Sequence, residues 1–166
     1  MPPLKRPRVL CVDDDEDACE MLKELMNSFG IDATCTRSAG DAWPLIKAGH
    51  FDLYLLDGWL PQVDGFEFCR EIREVDSNTP VVFYSGAAYE ADKQKGITAG
   101  ASAYVTKPDV EGLIETIMDL IAKTKVDGVA ARWDSKEIPP VESARFLPSS
   151  SPAKLSGFAA TIIARG

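Results

Sequence analysis

Four places along the chain hold residue types that could do chemistry together. Asp13, Asp14 and Asp15 follow the apolar run VLCV, and Asp57 follows LYLL. Ser85 and Gly86 follow VVFY, and Thr106, Lys107 and Pro108 follow AYV. Taken singly, each is ordinary, because aspartate is common at turns and helix starts. Brought together, the carboxylates repel: a pair about 4 Å apart costs on the order of 1 kcal/mol in water and roughly four times that near a protein surface. Such a cluster persists when a hard cation sits in it. Oxygen-only ligands with positions left for water suit Mg²⁺. Lys107 adds a compact positive charge for a phosphoryl oxygen, and the Ser85 hydroxyl can donate a hydrogen bond to the same group. Carboxylate, divalent metal, lysine and hydroxyl are the parts for phosphoryl transfer to an aspartate.

The elements that must position these residues are short β-rich runs separated by amphipathic helical patterns. Strands are predicted at Arg8–Val12, Asp32–Arg37, Leu53–Leu56, Val81–Tyr84 and Ala103–Val105. Ala18, Met21, Leu22, Leu25, Met26 and Phe29 recur at helical spacing, with Gly30 as a stop. Leu113, Ile114, Ile117, Met118 and Ile121 form a second stripe after Asp109. Weaker helical patterns cover 38–48, 65–75 and about 89–99, and Pro44 should kink or shorten the first of these. Strand alternating with helix, with near-continuously apolar strands, implies an α/β fold: a doubly wound, five-stranded parallel sheet with helices on both faces. Ligands of such sheets gather at the carboxyl ends of the strands, where all four places lie.

Composition narrows the class. The 166 residues are 45% apolar and 27% charged, with a net charge of −8, the balance of a soluble globular protein. No run approaches the roughly 20 apolar residues that span a bilayer, and VLCV is too short for a secretory signal. A cytoplasmic location is expected, with no membrane partner. Residues 1–124 carry 22 acids against 12 bases, while residues 125–166 carry 4 against 6. An acidic body argues against nucleic-acid binding, and the shift marks a boundary. The expected organisation is an extension at 1–7, a domain at 8–124, and a tail at 125–166 that is largely disordered in isolation. In that tail Pro139, Pro140, Pro148 and Pro152 break periodicity, and Trp133, Phe146 and Phe158 stand as isolated aromatics. Cys11, Cys19, Cys35 and Cys69 show no CxxC and no ligand spacing with His50; they read as reduced, mostly buried small hydrophobes.

Four segments in order resemble the receiver domains of response regulators, the CheY-like proteins of two-component signalling. These are VLCVDDDEDACEML, FDLYLLDGWLPQVDGFEFCREIR, TPVVFYSGAA and AGASAYVTKP, and the resemblance covers roughly residues 8–122. It implies that Asp57 is the phospho-acceptor, that Asp14 binds Mg²⁺ directly and Asp13 mainly through water, and that the Trp59 carbonyl completes the protein ligands. Lys107 would pair with the phosphoryl group through a loop with a cis bond to Pro108. Ser85 and Tyr104 would be switch residues that reshape the face made by the fourth helix, fifth strand and fifth helix. Asp15 has no set role.

Gly58, Trp59 and Gly86 depart from the usual pattern, as does Asp109 directly after Pro108. They bear on phosphoryl lifetime and partner fit and remove no essential group. A haloacid-dehalogenase-type hydrolase would want an acid two residues after the nucleophile, where Trp59 stands. A flavodoxin-like binder would want a small phosphate loop where Asp13–Asp15 stand. The remaining alternative is a receiver-like interaction module that works without phosphorylation. The expected protein is a single-domain regulator with no separate enzyme domain, signalling through protein contacts. Its donor would be a histidine kinase or phosphotransfer protein and its target a further protein, with a homodimer through the switch face as another possibility.

Overall fold

A computed structural model describes residues 5–130 of the chain. The strands β1 (Arg8–Val12), β2 (Asp32–Thr36), β3 (Leu53–Leu56), β4 (Val81–Ser85) and β5 (Ala103–Thr106) alternate with five helices. These are α1 (Glu16–Ser28), α2 (Ala39–Ala48), α3 (Gly65–Val75), α4 (Glu90–Thr98) and α5 (Val110–Ala130). The sheet runs β2-β1-β3-β4-β5 with every neighbouring pair parallel. The predicted doubly wound architecture is therefore present. Among the described residues no helix is long and apolar enough to cross a membrane.

Alternation along the strands builds two cores. Leu10, Leu56 and Phe83 point to one face, where α2 and α3 close the layer with Ile46, Phe68 and Ile72. Val9, Leu55 and Val82 point to the other, under Leu22 and Met26 of α1 and Leu113 and Ile117 of α5. Each fully buried aliphatic side chain contributes about 1.5–3 kcal/mol of transfer free energy, so the two layers hold the sheet from both sides. The chain runs outward from β1 to β2 and returns past β1 to β3. Strand order thus reverses between β1 and β3, and a crevice opens at their carboxyl ends.

Boundaries differ from the sequence reading in instructive ways. The β4–β5 ladder continues one pair further, through Ser85 and Thr106, because those two residues are themselves in register. Pro44 lies inside α2 without ending it; the proline leaves the Gly40 carbonyl without its intrahelical donor, and Ile46 beyond it is still buried in the core. Helix α5 runs on to Ala130, past the boundary read at residue 124. A change in charge balance does not stop a helix, and 125–130 contains no proline. The remainder of the tail, with Trp133, Phe146 and Phe158, lies outside the described residues.

Candidate functional site

Asp13 follows β1 and is buried, with the β1–β2 ladder extended by its backbone N–H to the Thr36 carbonyl at 3.1 Å. Asp57 follows β3, and its N–H reaches the Val12 carbonyl at 2.9 Å. Parallel pairing of β1 with β3 therefore sets the two carboxylates side by side. Asp14, exposed at the start of the β1–α1 loop, joins them: Asp13, Asp14 and Asp57 each place a carboxylate oxygen within 4.8 Å of the others. Lys107, after β5, reaches in from the far side. Its Nζ donates to Asp13 Oδ2 at 2.7 Å and to Asp57 Oδ2 at 3.2 Å. The same ammonium lies 5.6 Å from the centre of the Tyr84 ring. Burial pulls the Lys107 pKa down, but the hydrogen bond it donates to Asp13 and the charges of Asp57 and Asp13 outweigh it and hold the ammonium above its ordinary range.

Three carboxylates against one ammonium leave two negative charges uncompensated. An all-oxygen donor set of that charge fits a hard divalent cation, and Mg²⁺ in particular, which needs few protein ligands. The expectation that these three aspartates and Lys107 converge is met.

Neighbouring residues explain how the loops hold this shape. Asp15 caps α1, its side chain accepting from the N–H groups of Asp17 and Ala18, while its own N–H donates to Asp13 Oδ1 at 3.0 Å. Asp64 caps α3 by accepting from Phe66 at 2.8 Å. A Cβ at Gly65 would collide with the Asp57 carbonyl, so only glycine lets α3 start directly against the end of β3. Gly58 is similarly placed: a Cβ there would come 3.0 Å from Ser85 Oγ. Gly86, in contrast, faces open space. The Trp59 side chain is 69% exposed. Its N–H donates to Asp57 Oδ1 at 3.3 Å, and the residue bridges to Asp64.

Ser85 is fully buried, with its Oγ accepting from the Ala87 N–H at 3.4 Å. Tyr104 is partly buried, its ring stacked on Phe83 at 5.8 Å and its hydroxyl donating to the Ala87 carbonyl at 2.9 Å. In this structure the tyrosine is folded in under the β4–α4 loop. The Lys107–Pro108 bond is cis, as expected. Asp109 caps α5 through the Gly112 N–H at 2.9 Å, which gives this departure from the usual pattern a local structural reason. His50 lies before β3, and its carbonyl accepts from Arg8.

Sequence reasoning missed one residue beside the site and one contact within it. Tyr84 under Lys107 reads as a core strand residue because strand alternation says only which face it takes. The Asp13–Lys107 ion pair joins residues 94 positions apart, and no local signal announces it. Asp15 could have been found, since an aspartate just before a helical stripe is a cap signal.

Comparison with known proteins agrees with this geometry. The response regulator receiver domain family matches residues 9–118. The transcriptional regulatory protein YvrH of Bacillus subtilis is 36% identical over 109 residues, 63% of this chain and 44% of its own length. The response regulator MprA of Mycobacterium leprae is 29% identical over 124 residues, 74% of this chain and 54% of its own. The chain thus spans about half the length of these curated relatives. Among solved structures, a Francisella response-regulator receiver domain superposes with a TM-score of 0.68 at 30% identity, covering 72% of this chain and 99% of that one. A CheY-like receiver protein from Methanospirillum hungatei gives 0.70 at 25%, covering 74% and 99%. Phosphorylation, Mg²⁺ binding and exchange with histidine kinases or phosphotransfer proteins are general features of that family. With the acids, the lysine and the buried serine on one rim of the matching fold, the chain belongs to the response-regulator receiver domains of two-component signalling.

Proposed function

We propose that Asp57 of this chain accepts a phosphoryl group from a histidine kinase or phosphotransfer protein, and that the signal leaves by protein–protein contact. The observation that carries this is the Lys107 ammonium held between Asp57 and Asp13 inside a three-carboxylate cluster. An Asp57 carboxylate oxygen attacks phosphorus, the bond to the donor's imidazole nitrogen breaks, and an acyl phosphate forms. Lys107 then follows the negative charge from the carboxylate to the phosphoryl oxygens. Asp13, Asp14 and Asp57, with the Trp59 carbonyl, would hold Mg²⁺, which neutralises charge on the transferring group. Ser85 lies one glycine away across Gly58, and turning its hydroxyl toward the phosphoryl group would free the Ala87 N–H. Ala87 also anchors Tyr104, so the two switch residues share one loop. The face they would reshape is α4, β5 and α5, where the target or a second copy would bind.

Intact-protein mass spectrometry after incubation with acetyl phosphate and Mg²⁺ tests this reading, with Asp57→Asn as control. One labile adduct that needs Mg²⁺ and vanishes in the variant is expected. Its absence, with Mg²⁺ binding intact, would instead favour an interaction module that works without phosphorylation.

A further inference from the structure

Three of the four cysteines lie together on the face covered by α1. Cys11 of β1 and Cys35 of β2 are directly paired in the parallel ladder, so their side chains project from the same side of the sheet. The Cys35 thiol donates to the Cys19 carbonyl at 3.5 Å, and the Cys19 thiol donates to the Asp13 carbonyl at 3.3 Å. The three sulfurs are not a metal site: among the described residues only the Asp13, Asp14 and Asp57 set has ligand atoms all within 4.8 Å of one another. What the geometry offers is a pair. Adjacent strands lie about 4.8 Å apart, and a disulfide needs Cα atoms roughly 4.4–6.8 Å apart.

The two members differ in the way that directional redox chemistry requires. Cys11 is fully buried, while Cys35 is only partly buried, on the edge strand β2. Cys69 provides the contrast on the other face: burial pushes its thiol up to about 11.

We propose that Cys35 is a peroxide-oxidisable thiol and that Cys11 resolves it to a reversible Cys11–Cys35 disulfide. The Cys35 thiolate sulfur attacks one peroxide oxygen, the O–O bond breaks, and the leaving hydroxide takes a proton and departs as water. Cys35 is then a sulfenic acid, oxidised by two electrons. The Cys11 sulfur attacks it, the S–O bond breaks, and a second water leaves with the Cys11 proton. In sum two thiols lose two electrons and two protons, and one peroxide becomes two waters. The bridge would tie the edge strand to β1 one residue before the Thr36–Asp13 backbone bond.

The test uses the full chain and does not depend on phosphorylation. Reduced, folded protein is treated with hydrogen peroxide, quenched with catalase, denatured, alkylated and digested for mass spectrometry. The expected result is joint loss of alkylation at Cys11 and Cys35, one cross-linked peptide pair containing both, and full recovery with dithiothreitol. Cys35→Ser should abolish the cross-link. Four alkylated cysteines, a bridge through Cys19 or Cys69, or oxidation of Cys35 only to the irreversible sulfinic acid would each overturn the assignment.

Discussion

Asp13 and Asp57 follow β1 and β3, strands bonded to neighbours on both sides, and the helices after them begin on the side-chain caps of Asp15 and Asp64. Ser85 and Tyr104 belong to β4 and β5. Here β5 is a sheet edge, the residue before α4, Tyr89, supplies no side-chain cap, and the one buried residue of α4 is Gly96. A Cβ at Gly96 would press on the Tyr104 ring at 2.9 Å and on Phe83 at 3.1 Å. One half of the rim is thus over-determined and the other lightly held. Group transfer needs reacting groups positioned to fractions of an ångström, whereas a response needs an element with an alternative close in energy. Under the proposed function, the halves divide those demands.

The same substitution on each half exposes the difference. Gly65→Ala puts a methyl against the Asp57 backbone, which has no flexible end to yield, so stability should fall by about 3 kcal/mol. Urea unfolding measures this, and a fall below about 1 kcal/mol would mean that the acceptor half is looser than described. Lys107→Ala should slow phosphorylation by acetyl phosphate by about a hundredfold, the scale of removing one preorganised charge-stabilising group. An unchanged rate would remove the lysine from the chemistry. The Lys107 contribution also has a pH signature. Its folded pKa is raised, so the stabilisation is fully present below the unfolded lysine pKa and fades as pH rises through the folded value. Wild type and variant should therefore converge in stability only above the ordinary lysine range.

Asp15→Ala should cost about 1 kcal/mol through the lost α1 cap, with Mg²⁺ affinity unchanged because the Asp15 backbone N–H still serves Asp13. A calorimetric titration beside thermal melts separates those effects, and weakened Mg²⁺ binding would give Asp15 a part in the metal site. The smallest shift should come from Gly96→Ala. Alanine gains about 1 kcal/mol of helix propensity over glycine, which offsets displacement of a ring that can move. Net stability should change little while the NMR signals of the Tyr104 ring shift. A loss as large as that of Gly65→Ala would erase the contrast between the halves.

Much of this molecule was legible before folding. Short, near-continuously apolar runs and helical patterns located the ten elements, because a parallel strand buried on both faces is apolar throughout and burial on a helix face repeats along the chain. The four polar stations followed, since a doubly wound sheet brings the carboxyl ends of its strands to one rim. The structure departs from the compositional pattern where the deciding force is not periodic. Helix α5 passed a compositional boundary at 124, because a helix ends where hydrogen bonding and packing fail and not where net charge changes.

The sequence alone determined which groups could take part: a run of acids, a further aspartate, a hydroxyl and a lysine, each at the end of an apolar strand. Only the tertiary structure decided their partners. Lys107 meets Asp13 as well as Asp57, Tyr84 lies under the ammonium, Cys11 pairs with Cys35, and glycine at 58 and 65 clears the space between strands and helix. Those are contacts between residues far apart in the chain, set by strand register and by the close approach of backbones, and neither quantity has a period that a sequence displays.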